Sequence, residues 1–357
     1  MDIINQTNKK IGIQEISFYS PKSFLSAEEF AKNRNIESEK LTKGLGILSF
    51  SVLPPHESVI TMAKEAALPI TKKHRDIDMV IFATESSVDQ SRAAALYLKD
   101  SLELKNNCKF IEYKQACYSS SFALFSAIAF IKASMHKKIL VIAADNARYG
   151  LNTQGEATQG CGACAFLVSE NPQIVEFETV TGVYSEFAND FYRPNFQDFA
   201  VVNGKLSMEV YLNALEMCFY DLSSKIDINC DIFLCHTPFP KMAQKAFNKL
   251  KTIANNKIQF YESAITLSRK IGNCYTASIF LSLFSLLTHE EDLVSKTILF
   301  YSYGSGATSE MYIGKIMSNY KSHLYCHKNI KEEDSFISFS NYEMFYNSHS
   351  IKEPVNM

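Results

Sequence analysis

Residues 108–145, CKFIEYKQACYSSSFALFSAIAFIKASMHKKILVIAAD, hold three elements in succession. Residues 108–114 form a short run of strand length. Residues 119–135 open with serines suited to an N-cap and then carry a broad apolar face, which predicts a helix. Residues 138–144 (KILVIAA) are a continuous apolar run, the pattern of a strand buried on both faces. Strand, helix and strand within forty residues predict an α/β protein.

The same alternation extends outward. Residues 78–85 (DMVIFATE) and 162–168 (GACAFLV) read as further strands. In the second half, helices are predicted over 208–222, 242–253 and 277–287, the last apolar all round and therefore deeply buried. Strands are predicted at 231–236 and 296–303. Three pairs recur in the same order: DMVIFATE with DIFLCH (231–236), KKILVIAAD (137–145) with KTILFYSYG (296–304), and GACAFLV with GATSEMY (306–312). This order predicts a duplicated architecture, with halves over residues 1–170 and 171–320. Open α/β sheets place functional groups at strand ends. Residues 321–357 read as a peripheral, partly ordered tail.

Composition narrows the function. The chain has 357 residues, 46% hydrophobic and 21% charged, with a net charge of −2. Lys/Arg and Asp/Glu are interspersed, which gives no electrostatic reason to expect nucleic acid. Nine cysteines, several inside apolar runs, fit a reducing compartment better than a disulfide framework. Cys161 and Cys164 form a C-x-x-C pair with no second half-site, so no metal is expected. The start of the chain lacks the pattern of a signal peptide, and no apolar stretch is long enough for a membrane span. A cytoplasmic protein is expected.

Three residues stand where chemistry is possible. Cys117 lies between a strand and a helix start, where free backbone N–H groups and the helix dipole would lower a thiol's pKa and could bind an oxyanion. Glu85 ends an apolar strand, at the edge of a low-dielectric region that raises a carboxyl toward a useful base. His236 ends another such strand before Thr237-Pro238. Spacing alone also allows an inert buried thiol, a solvated carboxylate and a structural histidine. Gly304-Ser305-Gly306 matches no phosphate-binding signature, yet permits close backbone approach to something small.

Seven blocks in order, ATES (83–86), KQACYSS (114–120), DNARYGLNTQGEATQGCGA (145–163), DFYRP (190–194), HTPFPKM (236–242), GNCYTASIFLSL (272–283) and YGSGATSEMY (303–312), together resemble hydroxymethylglutaryl-CoA synthases of the bacterial type. The resemblance implies a thiolase-like fold of two similar halves in α-β-α-β-α layers, a homodimer, and the mevalonate route to isoprenoids. It implies that Cys117 carries an acetyl group from acetyl-CoA, that Glu85 removes a methyl proton, and that His236 assists addition to acetoacetyl-CoA. The backbone N–H groups of Cys117 and Ser305 would hold the enolate oxygen. Asn273, Ser305, Tyr149 and Thr158 would line the acyl pocket, Lys241 would reach CoA phosphates, and Arg148 is a further substrate-binding candidate. CoA thioesters are then substrates, and no cofactor is implied. Two alternatives accompany this expectation: a polyketide β-branching relative acting on an acyl carrier protein, and an inactive interaction subunit of the same fold.

Overall fold

The computed structural model describes residues 9–195, 197–254, 257–326 and 336–350. The first half runs β1 (Gly12–Tyr19), β2 (Phe24–Ser26), α1 (Ala27–Arg34), β3 (Ser49–Ser51), α2 (Val59–Lys73), β4 (Met79–Ala83), β5 (Lys109–Tyr113), α3 (Ser119–Lys132), β6 (Lys138–Ala147) and β7 (Gly160–Ser169). The second half runs β8 (Val175–Ser185), β9 (Phe191–Tyr192), β10 (Val201–Val202), α4 (Gly204–Ser223), β11 (Ile232–Cys235), α5 (Pro240–Ile253), α6 (Ser268–Ile271), α7 (Ser278–His289), β12 (Thr297–Gly304) and β13 (Thr308–Ile316). Then come β14 (Leu324–Cys326) and α8 (Phe339–Ser348).

The main sheet has the order β11-β12-β13-β8-β1-β7-β6-β4-β5. Its two sides repeat each other. β4 pairs parallel with β6, which pairs antiparallel with β7, and β7 pairs antiparallel with β1. On the other side β11 pairs parallel with β12, β12 antiparallel with β13, and β13 antiparallel with β8. The three sequence pairs fall on β4/β11, β6/β12 and β7/β13, so the duplication read in the sequence is a duplication of sheet topology. The α/β expectation holds.

Burial follows from this doubling. α3 and α7 lie in one apolar layer with side chains of both sheet halves, among them Ile81, Leu124, Phe166, Phe280 and Phe300. α2 covers the far face of the first half, through Met62, Ala66 and Ile70 against Val80, Phe82 and Leu140. α4 and α5 cover the second, through Leu215, Leu222 and Met242 against Phe233 and Tyr301. A helix covered on all sides must be apolar all round, and every residue of α7 from Ser278 to Leu287 is buried.

Two expectations change. The serines at the start of α3 do not cap it: Tyr118 occupies the cap position and makes no side-chain cap bond. Instead Ser120 donates to the Thr276 carbonyl at 2.6 Å and Ser121 bonds the Tyr312 hydroxyl at 2.9 Å, so they tie α3 to the second half. The segment expected to be peripheral also carries packed structure. β14 pairs with β1, and α8 buries Tyr342 against Phe50, at 1% exposure. Four aromatic residues within ten (Phe339, Tyr342, Phe345, Tyr346) supply its packing face. Residues 327–335 and 351–357 of that expectation lie outside the described residues.

Candidate active site

The duplication brings two strand ends together. β4 leads into Glu85 and β11 into His236, while β5 turns into Cys117 at the mouth of α3. The turn is tight: Ala116 takes a left-handed φ of 44°, uncommon for a residue with a Cβ, and Tyr118 N–H donates to the Gln115 carbonyl at 3.2 Å. Opposite it, a Cβ on Gly304 would fall 2.5 Å from the Gln115 carbonyl oxygen and 2.7 Å from the Tyr118 Cβ. Only glycine lets the Gly304-Ser305 turn of the second half press against the cysteine turn of the first.

The Cys117 thiol donates to Glu85 Oε1 at 3.0 Å. Burial, and then the Glu85 carboxyl, push this thiol well above its ordinary pKa. That corrects the expectation of a lowered pKa, because a carboxyl in contact and the loss of water outweigh the helix start. Burial and the nearby Asp145 raise Glu85 to about 8, the direction expected of a carboxyl at a low-dielectric edge. His236 is 2% exposed, and burial lowers it to about 3, so its imidazole is neutral at working pH. Its backbone is fixed by N–H donation to Tyr301 and by the Tyr211 hydroxyl on its carbonyl. Its buried Nδ1 has no hydrogen-bond partner among the described residues.

Cys117 and His236 open onto one cavity of about 330 Å³, whose walls include Tyr149, Thr158, Asn273 and Ser305. Asn273 is aimed by its own amide oxygen, which accepts from Tyr275 N–H and the Ser278 hydroxyl, both at 2.9 Å. Six of the nine residues singled out in the sequence thus stand at the cavity or, for Glu85, on Cys117. A seventh, Ser305, closes it from the second half. Two do not line it. Lys241 donates to Gln244 at 2.8 Å at the start of α5, outside the cavity wall. Arg148 is turned away, onto the carbonyls of Tyr346 and His349 at the end of α8. Arg148, a substrate-binding candidate in the sequence, is thus turned onto α8 instead of the cavity: a helix C-terminus offers unpaired carbonyls that a guanidinium satisfies.

Other residues of the site were not singled out in the sequence. Asp145, fully buried at the end of β6, accepts from Glu85 N–H at 2.7 Å, Ser86 Oγ at 2.8 Å and Thr276 Oγ1 at 2.5 Å. It holds the Glu85 backbone from one half and Thr276 from the other. Asp190 accepts from the Tyr303 hydroxyl at 2.8 Å and Gly306 N–H at 3.0 Å. It pins the β9–β10 hairpin over the cavity, where Phe191 packs on Tyr149 and Tyr275. Arg193 donates to the Glu85 carbonyl. Both Asp145 and the DFYRP pair stand inside blocks legible in the sequence, but nothing local marks a carboxylate as a hub. The cysteines at 161, 164, 235 and 274 are fully packed, at 2% exposure or less. Among the described residues no group of His, Cys, Asp or Glu is arranged to hold a metal ion. No described helix is long and apolar enough to cross a membrane.

Comparison with known proteins agrees with this geometry. Residues 7–173 match the family model for the hydroxymethylglutaryl-coenzyme A synthase N terminal domain, and residues 174–259 and 251–337 match that for the C terminal domain. A hydroxymethylglutaryl-CoA synthase of Enterococcus faecalis is 34% identical, over 94% of this chain and 91% of its own. A polyketide biosynthesis 3-hydroxy-3-methylglutaryl-ACP synthase of Bacillus subtilis is 29% identical, over 85% of this chain and 79% of its own. A crystal structure of an HMG-CoA synthase complexed with CoA superposes with a TM-score of 0.87 at 35% identity, covering 94% of this chain and 89% of that one. The thiolase-like expectation for the fold holds. With both halves matched in order around one Cys–Glu–His cavity, the chain belongs to the hydroxymethylglutaryl-CoA synthase family.

Proposed function

We propose that this chain condenses acetyl-CoA with acetoacetyl-CoA to give 3-hydroxy-3-methylglutaryl-CoA, the step of the mevalonate route to isoprenoids expected from the sequence. The observation that carries it is the convergence of three residues from separate strands at one cavity, Cys117 and His236 in its wall and Glu85 hydrogen-bonded to Cys117.

In the first step Glu85 takes the Cys117 proton as sulfur attacks the acetyl carbonyl, and the proton leaves on the CoA thiol. The products are acetyl-Cys117 and free CoA. Glu85, again a carboxylate and raised toward neutrality, then removes a methyl proton. The enolate oxygen is held by the backbone N–H groups of Cys117 and Ser305, each donor worth about 3 kcal/mol in such sites. The carbanion adds to the ketone of acetoacetyl-CoA, whose oxygen is polarised by neutral His236 with Asn273 beside it; the new alkoxide gains its proton through His236, and the proton that Glu85 took from the methyl group balances it. Water cleaves the enzyme thioester. These steps use side chains and backbone of this chain alone, so we assign no cofactor.

Lys241, at the N-terminal end of α5 beside Gly46, the chain neighbour of cavity-lining Leu45, is the cation we assign to a CoA phosphate. A homodimer is supported by the edge strand β5, with Ile111 40% exposed and Phe122 of the adjoining helix 50% exposed. An unpaired, apolar edge is where a second strand adds. We place the protein in the cytoplasm, in keeping with eight free cysteines among the described residues.

Incubation with acetyl-CoA is expected to add one acetyl group, on Cys117, and Cys117→Ala to abolish it; labelling that persists in the variant overturns the assignment, as would an unlabelled wild type. The carrier-protein reading is separated by comparing kcat/KM for acetoacetyl-CoA and for acetoacetyl on an acyl carrier protein. The higher identity to the CoA-named relative favours CoA. A carrier preference of about a hundredfold, or 2.7 kcal/mol, would reverse the choice.

A further inference from the structure

Residues 148–159, between β6 and β7, have two faces. The inner face supplies Tyr149, Gln154, Gly155 and Thr158 to the cavity wall. The outer face is held by α8. Tyr346 donates its hydroxyl to the Tyr149 carbonyl at 2.8 Å. Tyr342, 1% exposed, donates to Glu156 at 2.8 Å and accepts from Gln159. Arg148 reaches back to the Tyr346 carbonyl at 3.0 Å and the Ser350 hydroxyl at 3.1 Å, with its guanidinium 4.2 Å above the Tyr346 ring. Glu156 is fixed from the other side by two bonds from Arg34, at 2.6 and 2.9 Å. None of the residues of α8 lines the cavity.

The wall it holds has little slack. A Cβ on Gly155 would fall 2.5 Å from the Tyr149 ring, which is also packed against Phe191 and Tyr275. A shift of the 148–156 backbone by a few tenths of an ångström therefore moves the Tyr149 ring, and that ring stands in one cluster with Cys117. Close-packed neighbours transmit such a shift instead of absorbing it.

On the reading of the cavity as an acyl site, we infer that α8 is a strap that sets the acyl pocket, with Tyr346 and Arg148 as positioning residues for Tyr149. They act on which acyl group fits Cys117. The proton transfers are carried by residues on other elements.

The test uses the full chain with Tyr346→Phe, which removes one hydroxyl, and with Arg148→Met and Arg148→Lys. Acylation of Cys117 is followed by mass with acetyl-CoA and propionyl-CoA. Both Tyr346→Phe and Arg148→Met are expected to raise KM for acetyl-CoA roughly fivefold with kcat within about twofold, and to lower the preference for acetyl over propionyl by a similar factor. Arg148→Lys, which keeps the charge at the helix end without the fork, is expected to recover part of the loss. Wild-type KM and acyl preference in Tyr346→Phe, whatever its melting temperature, would overturn the inference; this variant decides even where Arg148→Met does not fold. A wild type that takes neither acyl donor would instead overturn the acyl-site reading itself.

Discussion

The Cys117 thiol and Glu85 Oε1 are 3.0 Å apart, so the two residues we propose as nucleophile and base share a hydrogen bond before any substrate binds. After burial itself, the carboxyl raises the thiol's cost of ionising, while the thiol's hydrogen bond lowers that of Glu85, whose own rise comes from burial and Asp145. The free site therefore keeps its proton, and sulfur becomes nucleophilic only as Glu85 takes it up.

Glu85→Gln separates these effects. Condensation is expected to fall by roughly 10²–10⁴-fold, the range for a positioned base. Alkylation of Cys117 by iodoacetamide is expected to move the other way, its pH profile shifting to lower pH, because the carboxyl that raises the thiol is gone. An alkylation profile that stays in place or moves to higher pH would show that Glu85 does not act on the thiol.

The same variant has a stability signature. Glu85 ionises at about 8 when folded, against an ordinary 4.5. A raised carboxyl stabilises the fold fully below the unfolded value, and that contribution is lost as pH rises through the folded one. Gln never ionises. Glu85→Gln is therefore expected to gain Tm relative to wild type between pH 4.5 and 8, with the gain level above that. Thermal melts at pH 5, 7 and 9 check the slope.

Asp145 raises Glu85 through its charge and orients it through the backbone bond at 2.7 Å. Asp145→Asn is expected to lower condensation by roughly 10²-fold, the scale for a misplaced reacting group. Its remaining activity should titrate at lower pH than wild type, since one of the causes holding Glu85 up is removed. A pH–rate profile unchanged in position would limit Asp145 to packing.

His236 is held neutral, near 3, by burial. Changing it to Ala is expected to cut condensation roughly 10²–10⁴-fold while acetyl-Cys117 still forms. Wild-type kcat/KM is expected to show no limb between pH 6 and 7 that disappears in this variant. A limb of that kind would mean that the imidazole ionises in the working enzyme.

Gly272 carries the turn that presents Asn273. Its φ is +82°, and a Cβ would fall 2.0 Å from the Gln159 carbonyl oxygen. Gly272→Ala is expected to cost at least about 1–3 kcal/mol from the backbone conformation alone, seen as a lowered Tm, and to raise KM for the second substrate as Asn273 moves.

Much of this protein was legible in the chain itself. Apolar runs of strand and helix length are a local property, so the alternation at 108–145 and its echo in the second half were enough for a duplicated α/β fold. Glu85 and His236 stand out because each ends an apolar strand, and Cys117 because it precedes a helix start, while their roles come from the family resemblance of the blocks around them. What local pattern could not supply was the company each side chain keeps. Cys117 meets a carboxyl 32 residues away, and that contact together with burial reverses the pKa shift that its helix position suggests. Asp145 becomes a hub only because Thr276, 131 residues on, packs beside it. Arg148, read as a substrate contact, satisfies carbonyls about 200 residues away, on a helix whose segment had looked peripheral. Burial and partners are set when distant segments close-pack, so the energies that tune a site belong to the tertiary structure, while the pattern that builds its frame is already in the sequence.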